Sequence, residues 1–448
     1  MVYHLPIRLF SSPRAAIDRV PVNNRRRLKP RPRHGVMEKS SGNKNMMVKT
    51  SNPPADAAVL AAAASLLTDD LIVEILSRLP VRSVHRFKCV SPWFRDLIAN
   101  PAHRKKLPQT LAGFIYSTYN RVDPRLHHFH FANVSVSATA PVKVKPSLPF
   151  LPPDEYLYVI QLDTCNGLLL CLAYMDTPSM DDNARLESHY IVCNPATKRW
   201  VDLPPQPELL PDGRRIIARL AFDPAASSQF HVLQFEENDQ EPYVTGVNIY
   251  SSQTGTWSHR ESRLVEKISL SAGLTSVFCH GMLHLLGKLH PMSLDEDGVL
   301  VAVDMEGKVW STVRVPSGGF SFGIIGLSQG CLHYATTSLA KKTRKKEVTE
   351  IATVWCMQDY DSKKWVLKHS VSRDKLPGPS RVDYVVVAIH PDCDTIFLGA
   401  FNADTLASYD MQYGKYCHIL KLKKRTTGLE LLPYVPLFSD SLAGVDGK

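Results

Sequence analysis

At 448 residues with 44% hydrophobic content, the chain exceeds what one core usually serves, so two folded units flanked by unpatterned ends are expected. Its formal charge of +10 sits in residues 1–55, which hold 12 Lys and Arg against Asp18 and Glu38, while 41 basic and 41 acidic residues cancel in the rest. A neutral body argues against a general nucleic-acid binder, which needs a phosphate-facing patch of its own, and no apolar run reaches the roughly 18–20 residues of a membrane span.

Residues 1–65 form a basic, proline-punctuated stretch running into an Ala-rich linker. The stretch has too little apolar surface to offset its ordering entropy, so disorder is expected. A solvated tail, an import patch around Arg25–Arg33 and an organelle transit peptide all fit it, and Met37, Met46 and Met47 leave a later start open. The nine cysteines are spread singly, with no CxxC pair. That usage fits reduced thiols and a place in the nucleus, the cytoplasm or both.

Helical spacing begins at residue 66 and holds to 107. Thr68 is an N-cap, and Asp69 and Asp70 put negative charge in the first turn, where the helix dipole favours it. Leu71, Ile72, Ile75, Leu76 and Leu79 recur at helical spacing until Pro80 stops the run. A second helix follows with Val84, Phe87 and Val90 on one side and the basic Arg82, His85, Arg86 and Lys88 mostly on the other. A third opens at Ser91-Pro92, carries Phe94, Leu97 and Ile98, and ends at Asn100-Pro101. Three helices in some 40 residues expose more apolar surface than they can cover among themselves. Either a docking partner covers the remainder, or these helices cap the domain downstream.

Within this segment LTDDLIVEILSRLPVRSVHRFKCVSPWFRDLI resembles the plant F-box over more than thirty gapless positions. The resemblance implies binding to a small Skp-type adaptor and, through it, to a cullin scaffold. It places Leu67, Leu71, Ile75, Leu76, Leu79, Pro80, Val84, Phe87, Val90 and Phe94 in or beside the adaptor interface. Two departures stand out. Thr68 replaces the proline of the usual opening, and the family tryptophan falls on Phe94, with Trp93 one residue early behind Pro92.

From residue 111 to 438, short β-branched and aromatic runs alternate with turn residues. A polar turn closing on an aromatic recurs at Trp200, Trp257, Trp310, Trp365 and Tyr416, at intervals of 57, 53, 55 and 51 residues. Earlier turn markers accompany it: Asn166-Gly167, His280-Gly281 and Gln329-Gly330, with Asp223-Pro224 and Pro391-Asp392 in the other two repeats. A period near 50 with this rhythm fits four-stranded propeller blades, glycine making the inner turn and the aromatic wedging between blades. An irregular sandwich is the plainer alternative. The phrases Asn166–Leu169, Cys193–Pro204, Phe222–Pro224 and Tyr434–Pro436 resemble the kelch-like F-box-associated domain of plants. Five blades are visible. Gly113–Tyr116 and Leu126–Phe131 supply a sixth, closed by a C-terminal strand near Leu429–Tyr434, and residues 439–448 read as a disordered tail.

No GxSxG, HExxH, P-loop or strand-borne GxGxxG occurs, and no catalytic residue, metal or cofactor is expected. His127, His128 and His130 lack a nearby cysteine or carboxylate pair. The basic run Lys341–Lys346 fits a solvated hairpin loop or a site for an acidic partner, and Asp295-Glu296-Asp297-Gly298 fits an exposed turn. The expected molecule is thus a disordered tail, a small all-α three-helix F-box and an all-β propeller-like domain of about six blades. Its expected role is the non-catalytic substrate-recognition subunit of a Skp-cullin-F-box ubiquitin ligase, holding a protein target on the β-domain. A scaffold or regulator with a weakened F-box is the rival.

Overall fold

A computed structural model describes residues 67–438 and Leu442, apart from residues 80, 105, 120–126, 135–147, 153–154, 177–185, 207–216, 239–240, 272–274, 291–297, 317–320, 339–349, 373–374, 377–383, 401–403 and 423–430. The basic N-terminal stretch, Lys341–Lys346 and Asp295–Asp297 lie outside the described residues.

The helical segment holds α1 (Asp69–Ser77), α2 (Val81–Phe87), α3 (Pro92–Ala99) and a single turn, α4 (Pro101–Arg104). This corrects the expected count of three. Pro101 does not end the helical region but opens a further turn, because Asn100 Oδ1 accepts the Ala102 N–H at 3.0 Å and caps it. Ile72, Val73, Leu76, Val84, Leu97, Ile98 and Leu107 make one buried cluster that includes no strand residue.

Among the described residues the strands form six sheets, the blades of a propeller. Blade 1 joins β1 (Gly113–Tyr119) and β2 (His127–Asn133) to the last strand of the chain, β24 (Leu432–Tyr434). Blade 2 is β3 (Tyr158–Cys165), β4 (Leu168–Asp176), β5 (Leu186–Asn194) and β6 (Arg199–Asp202). Blade 3 is β7 (Ile217–Phe222), β8 (Phe230–Glu237), β9 (Val244–Ser251) and β10 (Thr256–Glu261). Blade 4 is β11 (Ile268–Leu270), β12 (Val277–Cys279), β13 (Met282–Leu289), β14 (Gly298–Asp304) and β15 (Trp310–Arg314). Blade 5 is β16 (Ser321–Ser328), β17 (Cys331–Ser338), β18 (Glu350–Met357) and β19 (Val366–Ser372). Blade 6 is β20 (Tyr384–Ile389), β21 (Thr395–Ala400), β22 (Thr405–Asp410) and β23 (Lys415–Lys421).

All pairings are antiparallel, and consecutive blades meet at their inner strands, β24 to β3, β3 to β7, β7 to β12, β12 to β16 and β16 to β20. Blades 6 and 1 share a cluster in which Phe114 meets Phe397 edge-on, so the ring closes. Two blades depart from four strands. Blade 1 has three among the described residues, and in blade 4 the inner edge is broken, with β11 pairing the far half of β13 and β12 the near half.

The inner hairpins at Asn166-Gly167, His280-Gly281 and Gln329-Gly330 have both central residues at positive φ, between 45° and 92°. That is the mirror-image turn whose twist matches a tight hairpin, and glycine adopts its second position without a Cβ penalty. The recurrent aromatics open the fourth strand of their blades: Trp200, Trp257, Trp310 and Tyr416 sit at the start of β6, β10, β15 and β23, and Trp365 just ahead of β19. Each is packed against a cluster drawn from two neighbouring blades. Trp257 and Trp365 also donate to the preceding blade, to the Pro204 carbonyl at 2.9 Å and the Arg314 carbonyl at 3.1 Å.

Of the expected tail, residues 439–448, only Leu442 is described; it is 4% exposed and belongs to the core cluster of blades 2 and 3.

Candidate functional site

The helical segment has two apolar stripes on α1. Thr68 caps the helix, its hydroxyl accepting from Leu71 N and its carbonyl from Ile72 N. Ile72, Val73 and Leu76 turn into the helical core. On the other side Leu67, Leu71 and Ile75 follow one another at four-residue spacing, 44%, 52% and 53% exposed, with half-buried Leu79 next in line. Residues four apart lie one above the other on a helix, so Leu71 and Ile75 stack on α1, and Leu67 just ahead of its cap and Leu79 just past its end extend the ridge. Leucine and isoleucine left half in water along one helix face are an apolar surface lacking a cover. The ridge carries charge beside it: Glu74 and Arg78 pair at 2.7 Å on the exposed helix surface.

A second exposed apolar group lies where α2 passes into α3. Ser91 caps α3, accepting from Phe94 N at 3.2 Å, with Pro92 in the first turn. This cap turns Phe94 inward against Phe87, ring centroids 5.1 Å apart, and leaves Val90 and Trp93 67% and 45% exposed. Trp93 packs edge-on to Phe94 at 4.8 Å.

The structure therefore divides the ten residues that the sequence placed at an interface. Leu67, Leu71, Ile75 and Val90 stand in solvent, while Leu79, Phe87 and Phe94 are half-buried at the margin of the helical core. Leu76 and Val84, each 1% exposed, are inside that core, behind the exposed ridge. The periodicity could not separate them, since α1 is apolar on two faces. Pro80 lies outside the described residues. Val73 and Leu107, both buried, and the exposed Trp93 join the set that spacing alone did not single out. For Val73 the signal was present: an apolar neighbour to Ile72 one residue on makes a second stripe with Leu76.

Among the described residues of the β-domain no group of three His, Cys, Asp or Glu is placed to hold a metal ion. His130 is engaged by Thr118, its Nε2 lying 2.8 Å from the hydroxyl, and packs against Tyr116. A buried carboxylate, Asp163 on β3, accepts from Leu220 N at 2.9 Å and Ser276 Oγ at 2.8 Å beside Arg219. Burial pushes its carboxyl pKa up, and Arg219 and the hydrogen bonds oppose that. Ser276 lies in the break between β11 and β12, so the split inner edge of blade 4 is what brings its hydroxyl to blade 2. These groups stitch inner strands together.

Two family models match the chain. An F-box domain model covers residues 65–106, the segment that bears the ridge. A model described as "F-box protein At3g26010-like, beta-propeller" covers residues 144–431, more than half of the sequence. The chain belongs to this family. It is a plant F-box protein with a six-bladed propeller.

Curated relatives in Arabidopsis thaliana agree. The F-box protein At5g49610 is 25% identical over 357 residues, covering 74% of this chain and 84% of that protein, and At3g26010 is 25% identical over 367 residues, covering 78% of each. At5g07610 is 28% identical over 201 residues, 42% of this chain, and there the match spans only 44% of the relative's length. Among solved structures, a chain of a nidogen/laminin complex aligns with 71% of this F-box protein and 96% of its own length at 9% identity and a TM-score of 0.35, too low to argue from.

Proposed function

We propose that this F-box protein is the non-catalytic substrate-recognition subunit of a Skp-cullin-F-box ubiquitin ligase. The observation that carries the proposal is the Leu67-Leu71-Ile75 ridge, an apolar stripe left in solvent by a helix whose opposite stripe already fills its own core. A Skp-type adaptor covers that ridge, a cullin binds the adaptor, and the propeller holds a protein target. Transfer of ubiquitin then follows from proximity, because tethering raises the effective concentration of the target without an acid, base or nucleophile in this chain. Among the described residues no disulfide joins the cysteines, which fits action in the nucleus or cytoplasm.

The test is binding of the full chain to purified adaptor. Leu71→Glu combined with Ile75→Glu places two charges in an apolar interface and is expected to weaken binding at least 100-fold, roughly 3 kcal/mol. Both side chains are exposed, so circular dichroism and melting temperature should stay near those of the parent chain. Parent protein that ignores the adaptor, or a double variant that binds as well as the parent, rejects the reading and leaves a scaffold with a weakened F-box. Thr68 and the outward Trp93 are the features that such a scaffold would explain.

A further inference from the structure

β24 closes the ring by ordinary pairing. Gly113, Phe114 and Ile115 of β1 sit opposite Tyr434, Pro433 and Leu432, and Ala112 N donates to the Tyr434 carbonyl at 3.0 Å. The chain then does not leave the domain. It continues over the end of the blades where the inner hairpin turns lie, the same end at which the helical segment enters β1, since Gly113 and Tyr434 are partners there.

Three independent contacts hold this continuation. The Leu437 carbonyl accepts from Asn194 Nδ2 at 3.0 Å, at the end of β5. Leu437 lies directly over the β3–β4 turn: a Cβ added to Gly167 would collide with the Leu437 side chain and come within 2.8 Å of the Val435 carbonyl. Leu437 and Leu442 both enter the apolar cluster of blades 2 and 3, beside Leu168, Tyr190 and Tyr250. Pro436 is buried as well. The matched family region ends at residue 431, so β24 and everything after it lie outside that match.

We infer that Val435–Phe438 and Leu442 act as a clasp, which reaches past the closing strand to bind blades 2 and 3 and locks the ring seam on the face that carries the helical segment. A closing strand of three residues contributes few hydrogen bonds, and a seam so short opens easily unless something beyond it is anchored. Two leucines seated in a core supply that anchor. The glycine at 167 then has two reasons to be there, its φ of 92° and the room that Leu437 occupies.

The experiment is truncation of the full chain after Pro436, which keeps β24 and removes Leu437 and Leu442, the anchors of the clasp, alongside truncation after residue 431 as the open-ring reference. Loss of the clasp is expected to lower the melting temperature by roughly 5 °C or more and to strip hydrogen-exchange protection from the β3–β4 turn and from the β1–β24 seam. Leu442→Ala in the full chain should lower it in the same direction by a smaller step, and this variant decides the matter if the truncated chain does not fold. Gly167→Ala should be more harmful in the full chain than in the chain cut after Pro436, because only the former holds Leu437 against the added methyl. A chain cut after Pro436 that melts and exchanges like the parent, or a Leu442→Ala variant indistinguishable from it, overturns the clasp. Adaptor binding through the ridge is unaffected either way, so failure here is separable from failure of the ligase reading.

Discussion

The His284 imidazole is fully buried between blades 4 and 5 and is held neutral by its neighbours. Nδ1 lies 3.1 Å from the Val277 carbonyl and donates to it, which leaves Nε2 as the acceptor for the Tyr360 hydroxyl at 2.7 Å. Burial pushes the pKa down to about 4 from the ordinary 6.5. In the unfolded chain the ring protonates near 6.5, so as pH falls the unfolded state binds the proton first. The stability this side chain contributes is complete above 6.5 and is lost between there and about 4, roughly 3 kcal/mol in all. Urea midpoints measured near pH 7 and near pH 4.5 should show a fall that is smaller in His284→Gln than in the parent; an unchanged fall rejects the assignment. Sequence reading found the neighbouring turn, His280-Gly281, from its glycine. It could not find His284, because a histidine at a strand position is ordinary until Tyr360, 76 residues later, is brought to its Nε2.

At the scale of the element, α1 shows how one helix serves two masters. Its inward stripe is structural and its outward stripe is available, so substitutions on the two should separate stability from binding. Leu76→Ala empties a fully buried position and is expected to destabilise the helical segment by about 2–4 kcal/mol. Leu71→Ala removes an exposed side chain and should change stability by no more than about 0.5 kcal/mol while weakening adaptor binding measurably. Thermal melts and titration with adaptor on the two variants check this, and equal losses of stability would mean that the stripes are wrongly assigned. The blade elements were more legible than the helices. The Trp200, Trp257, Trp310, Trp365 and Tyr416 series announced the repeat because a fourth strand begins with an aromatic whose work is local to one turn and one seam. The broken inner edge of blade 4 carried no such signal, since residues 271–276 interrupt a strand without a proline or paired glycine.

Over the whole molecule, the blades are joined at the hub by side chains as well as by sheet packing. Asp163 of blade 2 receives the Leu220 N–H of blade 3 and the Ser276 hydroxyl of blade 4, and Thr337 of blade 5 accepts from Val386 N of blade 6 at 2.9 Å. Thr164 of blade 2 donates to the Pro433 carbonyl of blade 1 at 2.7 Å. Asp163→Ala strands the Leu220 N–H and the Ser276 hydroxyl in a dry interior and is expected to cost about 3 kcal/mol. Because three blades meet at that carboxylate, the loss should appear as one lowered transition of the β-domain in calorimetry, and a transition at the parent temperature would show that the hub does not depend on it. The helical segment keeps its own core, yet Thr110, just before β1, donates to the Asp392 carboxylate of blade 6, so its exit is tied to the propeller end where the clasp also lies.

The residues in order were enough to establish a helical segment followed by a propeller of about six blades, because caps, helical spacing and a turn repeated every fifty-odd residues are local features written into neighbouring positions. They were also enough to name a ridge on α1, but not its composition. Whether Leu71 and Ile75 or Ile72 and Leu76 face outward depends on which side of α1 the later helices pack against, and that is decided only when α2 and α3 fold over it. The same holds for Leu442: ten residues at the end of a chain read as a tail until distant blades 2 and 3 provide a cavity for a leucine, and burial of that kind exists only in the assembled molecule.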